Sequence, residues 1–358
     1  MTRPVTIITG QFGDVPSEQL FAALQKIGYD GVELACGTEH FDVRRCLHDP
    51  NYWPSKRAQL KKYGLKCWAI SNHCVGQAVC DLLDQRNLDV IPVDLRGATC
   101  DETWKNCAEA MKDAARAAKM IGASVVTGFT GSSIWRYLYS FPPVPQVQCD
   151  DAYEKAVADA LANGQDPLKI DWIRAGFELF AERWNPILDA FDECGVKFAL
   201  EVHPTEIAFD IHSAQLALEA LDYVGWRRAF GFNFDPSHLL WQQVDPVKFI
   251  RHFSDRIYHV HMKDVALQLD GDNGLLGSHL PFGSPKRGWE FRSLGRGHVN
   301  FEEIIRALND IDYDGPLSVE WEDQRMDRWF GAAESYEYVK RVDFPKNVDG
   351  VFDAQFAK

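Results

Sequence analysis

The sequence predicts an α/β fold, a (β/α)8 TIM-type barrel with long loops over its C-terminal face. Eight apolar runs of strand length alternate with longer stretches of helical periodicity along the chain. Each run is dominated by Val, Ile, Leu or Phe with little polar alternation, as parallel strands covered on both faces require. The longest connections follow strands, which in a barrel gathers them on one face. A doubly wound open sheet is the competing arrangement, and the lack of a Gly-rich phosphate loop after the first run weakens it. With 358 residues and no composition break marking a linker, one domain is expected over 1–358, with a tail from about 342.

The strands are expected at 5–10, 31–36, 66–72, 124–128, 197–202, 229–233, 257–261 and 317–321. A helix at 17–27 opens with Ser17 as its cap and Glu18 in its first turn, and Gly28 follows its end. Ala, Lys and Glu carry the next helix over 103–121, which stops at Gly122. Further helical periods occupy 171–193, stopping at Gly195, then 246–253, 301–308 and 332–341. Three long connections, 75–101, 130–169 and 265–297, are rich in turn formers; the second contains Phe141-Pro142-Pro143-Val144-Pro145. Long loops of this kind usually cover a site or meet a partner.

Composition excludes several function classes. The 38 Lys+Arg against 52 Asp+Glu give a net charge of −14, which argues against salt-driven binding to nucleic acid or anionic membranes. No stretch approaches the roughly 18 apolar residues of a membrane helix, and no signal-peptide core is read at the N-terminus. The nine cysteines form no C-x-x-C pair, so reduced thiols in a cytoplasm are expected.

Four strand ends carry isolated polar residues inside apolar sequence: Glu201-Val202-His203, Asn233-Phe234-Asp235-Pro236-Ser237-His238, His259-Val260-His261-Met262-Lys263-Asp264, and Ser318-Val319-Glu320. In a barrel these ends converge on one axis. Charges there are costly unless they are paired or bind a metal. Two glutamates, an aspartate and a histidine make an O/N set suited to Mn²⁺, with Mg²⁺, Co²⁺ or Zn²⁺ as alternatives.

These runs, with Gly28-Tyr29-Asp30-Gly31-Val32-Glu33-Leu34 near the start and Gly295-Arg296-Gly297 before the last βα unit, resemble the xylose-isomerase-like barrels of sugar isomerases and epimerases. The resemblance spans about residues 5–340. It implies that Glu201, Asp235, His261 and Glu320 are metal ligands. It further implies that Glu201 and Glu320 exchange the proton, one on each face of a sugar, and that His238 binds substrate. The implied chemistry is proton abstraction beside a carbonyl through a metal-stabilised enediolate.

Other residues stand nearby. His203, two residues after Glu201, is read as an extra acid or base, or as an orienter of a ligand. Lys263 is read as touching a substrate oxygen or holding a carboxylate, and Glu33 as touching substrate or pairing with a cation. His73 is a weaker substrate contact, and His259 lies deeper, toward the core.

The leading expectation is a metal-dependent sugar or keto-sugar isomerase or epimerase. The alternative is a lyase performing β-elimination on a 3-oxo-glycoside, as in C-glycoside deglycosidases, or dehydrating a cyclic polyol. Ketose epimerases of this type carry an arginine six residues past the metal histidine, where this chain has Leu267. That departure and the long loops favour the alternative. The partners expected are a small carbohydrate substrate and a second copy of the chain, or a small partner subunit. Abasic-site endonucleases share the superfamily, but their basic surface and additional histidines are missing. A barrel that binds sugar without catalysis is the remaining, less favoured reading.

Overall fold

The apolar runs pair in parallel because the helix after each strand carries the chain back to the starting edge. The computed structural model describes residues 2–139, 151–166, 171–222 and 227–347. The strands are β1 (Val5–Ile8), β2 (Gly31–Ala35), β3 (Lys66–Ser71), β4 (Val125–Gly128), β5 (Lys197–Glu201), β6 (Phe230–Phe234), β7 (Ile257–Met262), β8 (Asp264–Leu267), β9 (Trp289–Arg292) and β10 (Leu317–Val319). Eight of them close in the order β1-β10-β7-β6-β5-β4-β3-β2, so the expected TIM barrel is present.

The helices are α1 (Ser17–Ile27), α2 (Val43–His48), α3 (Tyr52–Lys62), α4 (His73–Gln77), α5 (Gln85–Val90), α6 (Cys100–Ile121), α7 (Asp151–Ala162), α8 (Trp172–Cys194), α9 (Ile211–Asp222), α10 (Pro236–Leu240), α11 (Pro246–His252), α12 (Phe301–Asp310) and α13 (Arg328–Val342). Sequence reading missed α2, α3, α4, α5, α7, α9 and α10; α5 and α7 lie within the first and second of the expected long connections. It also misplaced the cap of α1: Pro16 is the cap, and the Ser17 amide is satisfied by Glu39 Oε2 at 2.6 Å. α6 starts three residues before its expected start because Thr99 and Glu102 form a reciprocal capping box.

The third long connection is not a plain loop. Its ends pair as the antiparallel β8–β9 ribbon, with Val265 opposite Phe291 and Leu267 opposite Trp289. The Phe141–Pro145 run lies outside the described residues, as does the chain beyond 347. The expected tail from 342 is partly corrected. Val342 ends α13, and Asp343 is buried against Arg3, with Oδ1 at 2.6 Å from Nη1.

The barrel lumen is polar where many such barrels carry branched aliphatics. Glu33, Thr127, Asn233, His259, His261 and Ser318 lie there with at most 1% exposure. No helix among the described residues is long and apolar enough to cross a membrane.

Candidate metal centre and active site

Each ligand candidate sits where a strand stops. Glu201 is the last residue of β5, Asp235 follows β6, His261 lies near the end of β7, and Glu320 directly follows β10. One ligand atom from each lies within 4.8 Å of every other, and all four residues are buried. Asp235 caps α10: its Oδ1 accepts from the Ser237 amide and hydroxyl, both at 2.7 Å. Its Oδ2 and Glu320 Oε2 are buried without a hydrogen bond of proper geometry. The His261 Nδ1 atom lies 2.9 Å from Glu320 Oε2 and 3.4 Å from Glu201 Oε2. Three carboxylates and one imidazole nitrogen facing one point, with buried lone pairs left over, fit a hard or borderline divalent cation.

The electrostatics follow from this crowding. Burial works to raise Glu201, but contacts from His238, His261 and His73 hold it well below the usual carboxylate range. Burial likewise opposes Glu320, which the Lys263 ammonium, at 3.3 Å, and His261 bring down to about 2. Asp235 goes the other way: burial pushes it up to about 6, against the lowering pull of His238 and Lys263. Burial would lower Lys263, but Glu320, Glu322 and Asp235 hold it well above its usual value.

Around the four candidate ligands the structure brings together most of the other expected residues. His238 Nε2 lies 3.2 Å from Glu201 Oε1, and its ring lies 4.1 Å from that of His203. His203 is not on the strand, as the sequence spacing suggested, because β5 ends at Glu201. It stands in the following turn, with Thr205 held at φ 112°, and its ring lies 5.0 Å from Phe129. Burial and the neighbouring His238 push its pKa well below normal. Glu206 ties this turn to the β4 loop, accepting from the Thr130 and Gly131 amides at 2.7 and 2.6 Å. His73 opens α4 and places Nε2 3.0 Å from Glu201 Oε2. Lys263 also meets Glu322 at 3.1 Å and lies 4.2 Å from the Phe291 ring centre.

Glu33 is the exception. Sequence reading put it against substrate or paired with a cation; it has no exposed surface to meet substrate, and it pairs with the imidazoles of His259 and His261. It lies beneath the ligands, in contact with His259 and His261. Sequence reading also missed Asn233, whose Nδ2 lies 3.1 Å from His261 Nδ1, and Phe291, which packs against His238. Asn233 was visible as a polar residue inside an apolar strand. Phe291 was signalled only by the alternation Trp289-Glu290-Phe291-Arg292.

A cavity of about 1020 Å³ opens from Glu320 and His73 toward the loops after β1, β2 and β3. Gln11, Thr38 and Asn72 are among its polar lining residues, and Val43, Val90 and Leu95 among its apolar ones.

Comparison with known proteins fits this architecture. The uncharacterized protein YfiH of Bacillus subtilis is 23% identical over 94% of this chain and 98% of its own length. Inosose dehydratase of Lacticaseibacillus casei is 34% identical over 89 residues, which are 25% of this chain and 29% of that protein. Among solved structures, 3-keto-D-glucoside 4-epimerase YcjR from E. coli aligns with a TM-score of 0.62 at 12% identity, covering 95% of this chain and 99% of that one. A family model described as the xylose isomerase-like TIM barrel matches residues 21–342, and with its eight-stranded barrel the chain belongs to that family.

Proposed function

We propose that this protein is a divalent-metal-dependent enzyme, with Mn²⁺ as the first choice, that isomerises or epimerises a sugar or keto-sugar. One observation carries the reading. Glu201 and Glu320 come from barrel strands that are not neighbours, yet both bring a carboxylate to His261 Nδ1. Glu201, Asp235, His261 and Glu320 would hold the metal. When bound, it supplies Lewis-acid polarisation of a carbonyl, which acidifies the neighbouring C–H. Glu201 and Glu320 are both held ionised, the form of a carboxylate that accepts a proton, and their lowered pKa makes each a weak base that depends on an acidified C–H.

The proposed substrate contacts are His238, Lys263 and His73, which ring the ligands. His203, held largely neutral, is assigned as an additional acid or base. The structure gives Glu33 no path to substrate, so it is left out of this set.

The lyase reading, on a 3-oxo-glycoside or a cyclic polyol, is supported by two observations. The cavity is much larger than one sugar ring needs, and the inosose dehydratase match favours dehydration chemistry. A self-associating chain, or one with a small partner subunit, is proposed for the long C-terminal-face loops; light scattering of the purified protein tests this. The eight described cysteines are free thiols, which supports a reducing cytoplasm.

The test uses Mn²⁺-loaded protein in D₂O with fructose or tagatose in one reaction and a 3-oxo-glucoside in another, and EDTA-treated controls. Mass spectrometry reads deuterium in the recovered sugar, and chromatography reads released aglycone. Deuterium entering the ketose, abolished by EDTA, is the expected result. Aglycone release with the ketose untouched would transfer the assignment to the lyase. Neither product would sink both substrate assignments.

A further inference from the structure

We propose that Glu33 is a positioning residue that fixes the His261 ring so that Nδ1 is presented to the ligand cluster. The inference rests on the reading of His261 as a metal ligand. Glu33 lies on β2 and His261 on β7, which are not adjacent in the barrel, so their contact crosses the lumen. The Glu33 carboxylate takes four donors from three other strands. Oε1 accepts from Thr127 Oγ1 at 2.5 Å. Oε2 accepts from Ser318 Oγ at 2.9 Å, His259 Nε2 at 2.8 Å and His261 Nε2 at 3.0 Å. Three of the four donors crowd Oε2 and one meets Oε1.

An ionised carboxylate accepts and does not donate. Both imidazoles therefore carry hydrogen on Nε2, and His261 Nδ1 is left to face Glu201 and Glu320. A histidine that binds metal through one nitrogen is held by the hydrogen bond its other nitrogen donates, and loss of that partner typically weakens metal binding by about 10–100-fold. Without Glu33, two buried N–H groups would have no acceptor, and the His261 ring would be held only from its Nδ1 side, where Asn233 lies at 3.1 Å. His259 fits a supporting role: its Nδ1 is buried with no hydrogen-bond partner among the described residues, so its one strong contact is the bond to Glu33.

Two variants separate geometry from charge. Glu33→Gln keeps an acceptor oxygen for the two imidazoles, and its amide nitrogen can donate to Thr127 Oγ1. Glu33→Met fills the space and accepts nothing. Mn²⁺ affinity is read from the free-ion EPR signal during titration of metal-stripped protein, with circular dichroism as the folding control. The expected order is wild type, then Glu33→Gln within roughly tenfold, then Glu33→Met weaker by roughly 10–100-fold or more. Equal affinity in folded Glu33→Met would overturn the proposal and leave the metal site standing. No Mn²⁺ binding by the wild type would overturn the metal reading and this proposal together. If Glu33→Met does not fold, ¹⁵N-histidine NMR of the Mg²⁺- or Zn²⁺-loaded wild type decides. The expected His261 signal is Nε2–H with a metal-bound Nδ1, and hydrogen on Nδ1 with a bare Nε2 is incompatible with the proposal.

Discussion

Replacing Lys263 by Met removes an ammonium that faces two of the candidate ligand carboxylates. Lys263 Nζ lies 3.3 Å from Glu320 and 3.8 Å from Asp235, and the methionine would pack against Phe291. Holding Glu320 at about 2 instead of 4.5 corresponds to about 3 kcal/mol in favour of the folded, ionised form. A lowered carboxyl contributes above its unfolded value of 4.5 and loses that contribution as pH falls through about 2, so at neutral pH the term is fully present. Lys263 is the largest lowering influence on Glu320. Its removal also leaves buried carboxylates uncompensated, so metal-free Lys263→Met should lose about 3–5 kcal/mol. In melting temperature that is on the order of 4–7 °C for a chain of 358 residues. A bound dication compensates the same carboxylates, so the deficit should shrink when metal is present. Scanning fluorimetry of wild type and variant, each in EDTA and in saturating Mn²⁺, reads all four states. Equal destabilisation in EDTA and in Mn²⁺ would refute the reasoning, as would a metal-free variant as stable as wild type.

Three further outcomes follow from other parts of the fold. Burial and the neighbouring Asp81 push Glu206 up to about 8. A raised carboxyl favours folding at low pH, and the protein should lose that contribution as pH climbs from about 4.5 to 8. Glu206→Gln should flatten this slope in urea titrations at several pH values, and an unchanged slope would contradict the assignment. His203→Asn should lower turnover roughly 10²–10⁴-fold while Mn²⁺ affinity by EPR stays unchanged, whereas a parallel loss of both would make His203 a ligand orienter. Arg3→Met strands Asp343 in a buried site and should cost about 3–5 kcal/mol by urea denaturation; less than about 1 kcal/mol would show that α13 is held by its apolar face alone.

Much of the site was legible because it is local. Residues at the ends of β5, β6, β7 and β10 project over one face in any eight-stranded parallel barrel, so the polar strand ends could be picked out from strand period and chain order, and the family resemblance then singled out Glu201, Asp235, His261 and Glu320. Two of the missed helices differ in cause. α3 has a weak apolar stripe, with only Tyr52, Lys56 and Leu60 buried. α9 did carry a start signal: Asp210 stands directly before Ile211 and its Oδ1 accepts from the Ser213 amide at 2.7 Å, a local cue that the sequence reading passed over.

What the sequence by itself determined was the alternation of strand and helix, and with it the barrel and the face on which its polar strand ends meet. Those features depend on periodicity and chain order, which are properties of neighbouring residues. Only the tertiary structure decided which polar side chain meets which. Glu33 is 226 residues from His259 and 228 from His261, and nothing local distinguishes a glutamate that touches substrate from one buried beneath the ligands. The stagger of the strands around the barrel sets the height of each side chain in the lumen, and it placed Glu33 below the cluster. The β8–β9 ribbon was decided in the same way. Its strands are joined by cross-strand pairing over a long loop, and pairing at that separation is settled by what the rest of the barrel leaves open.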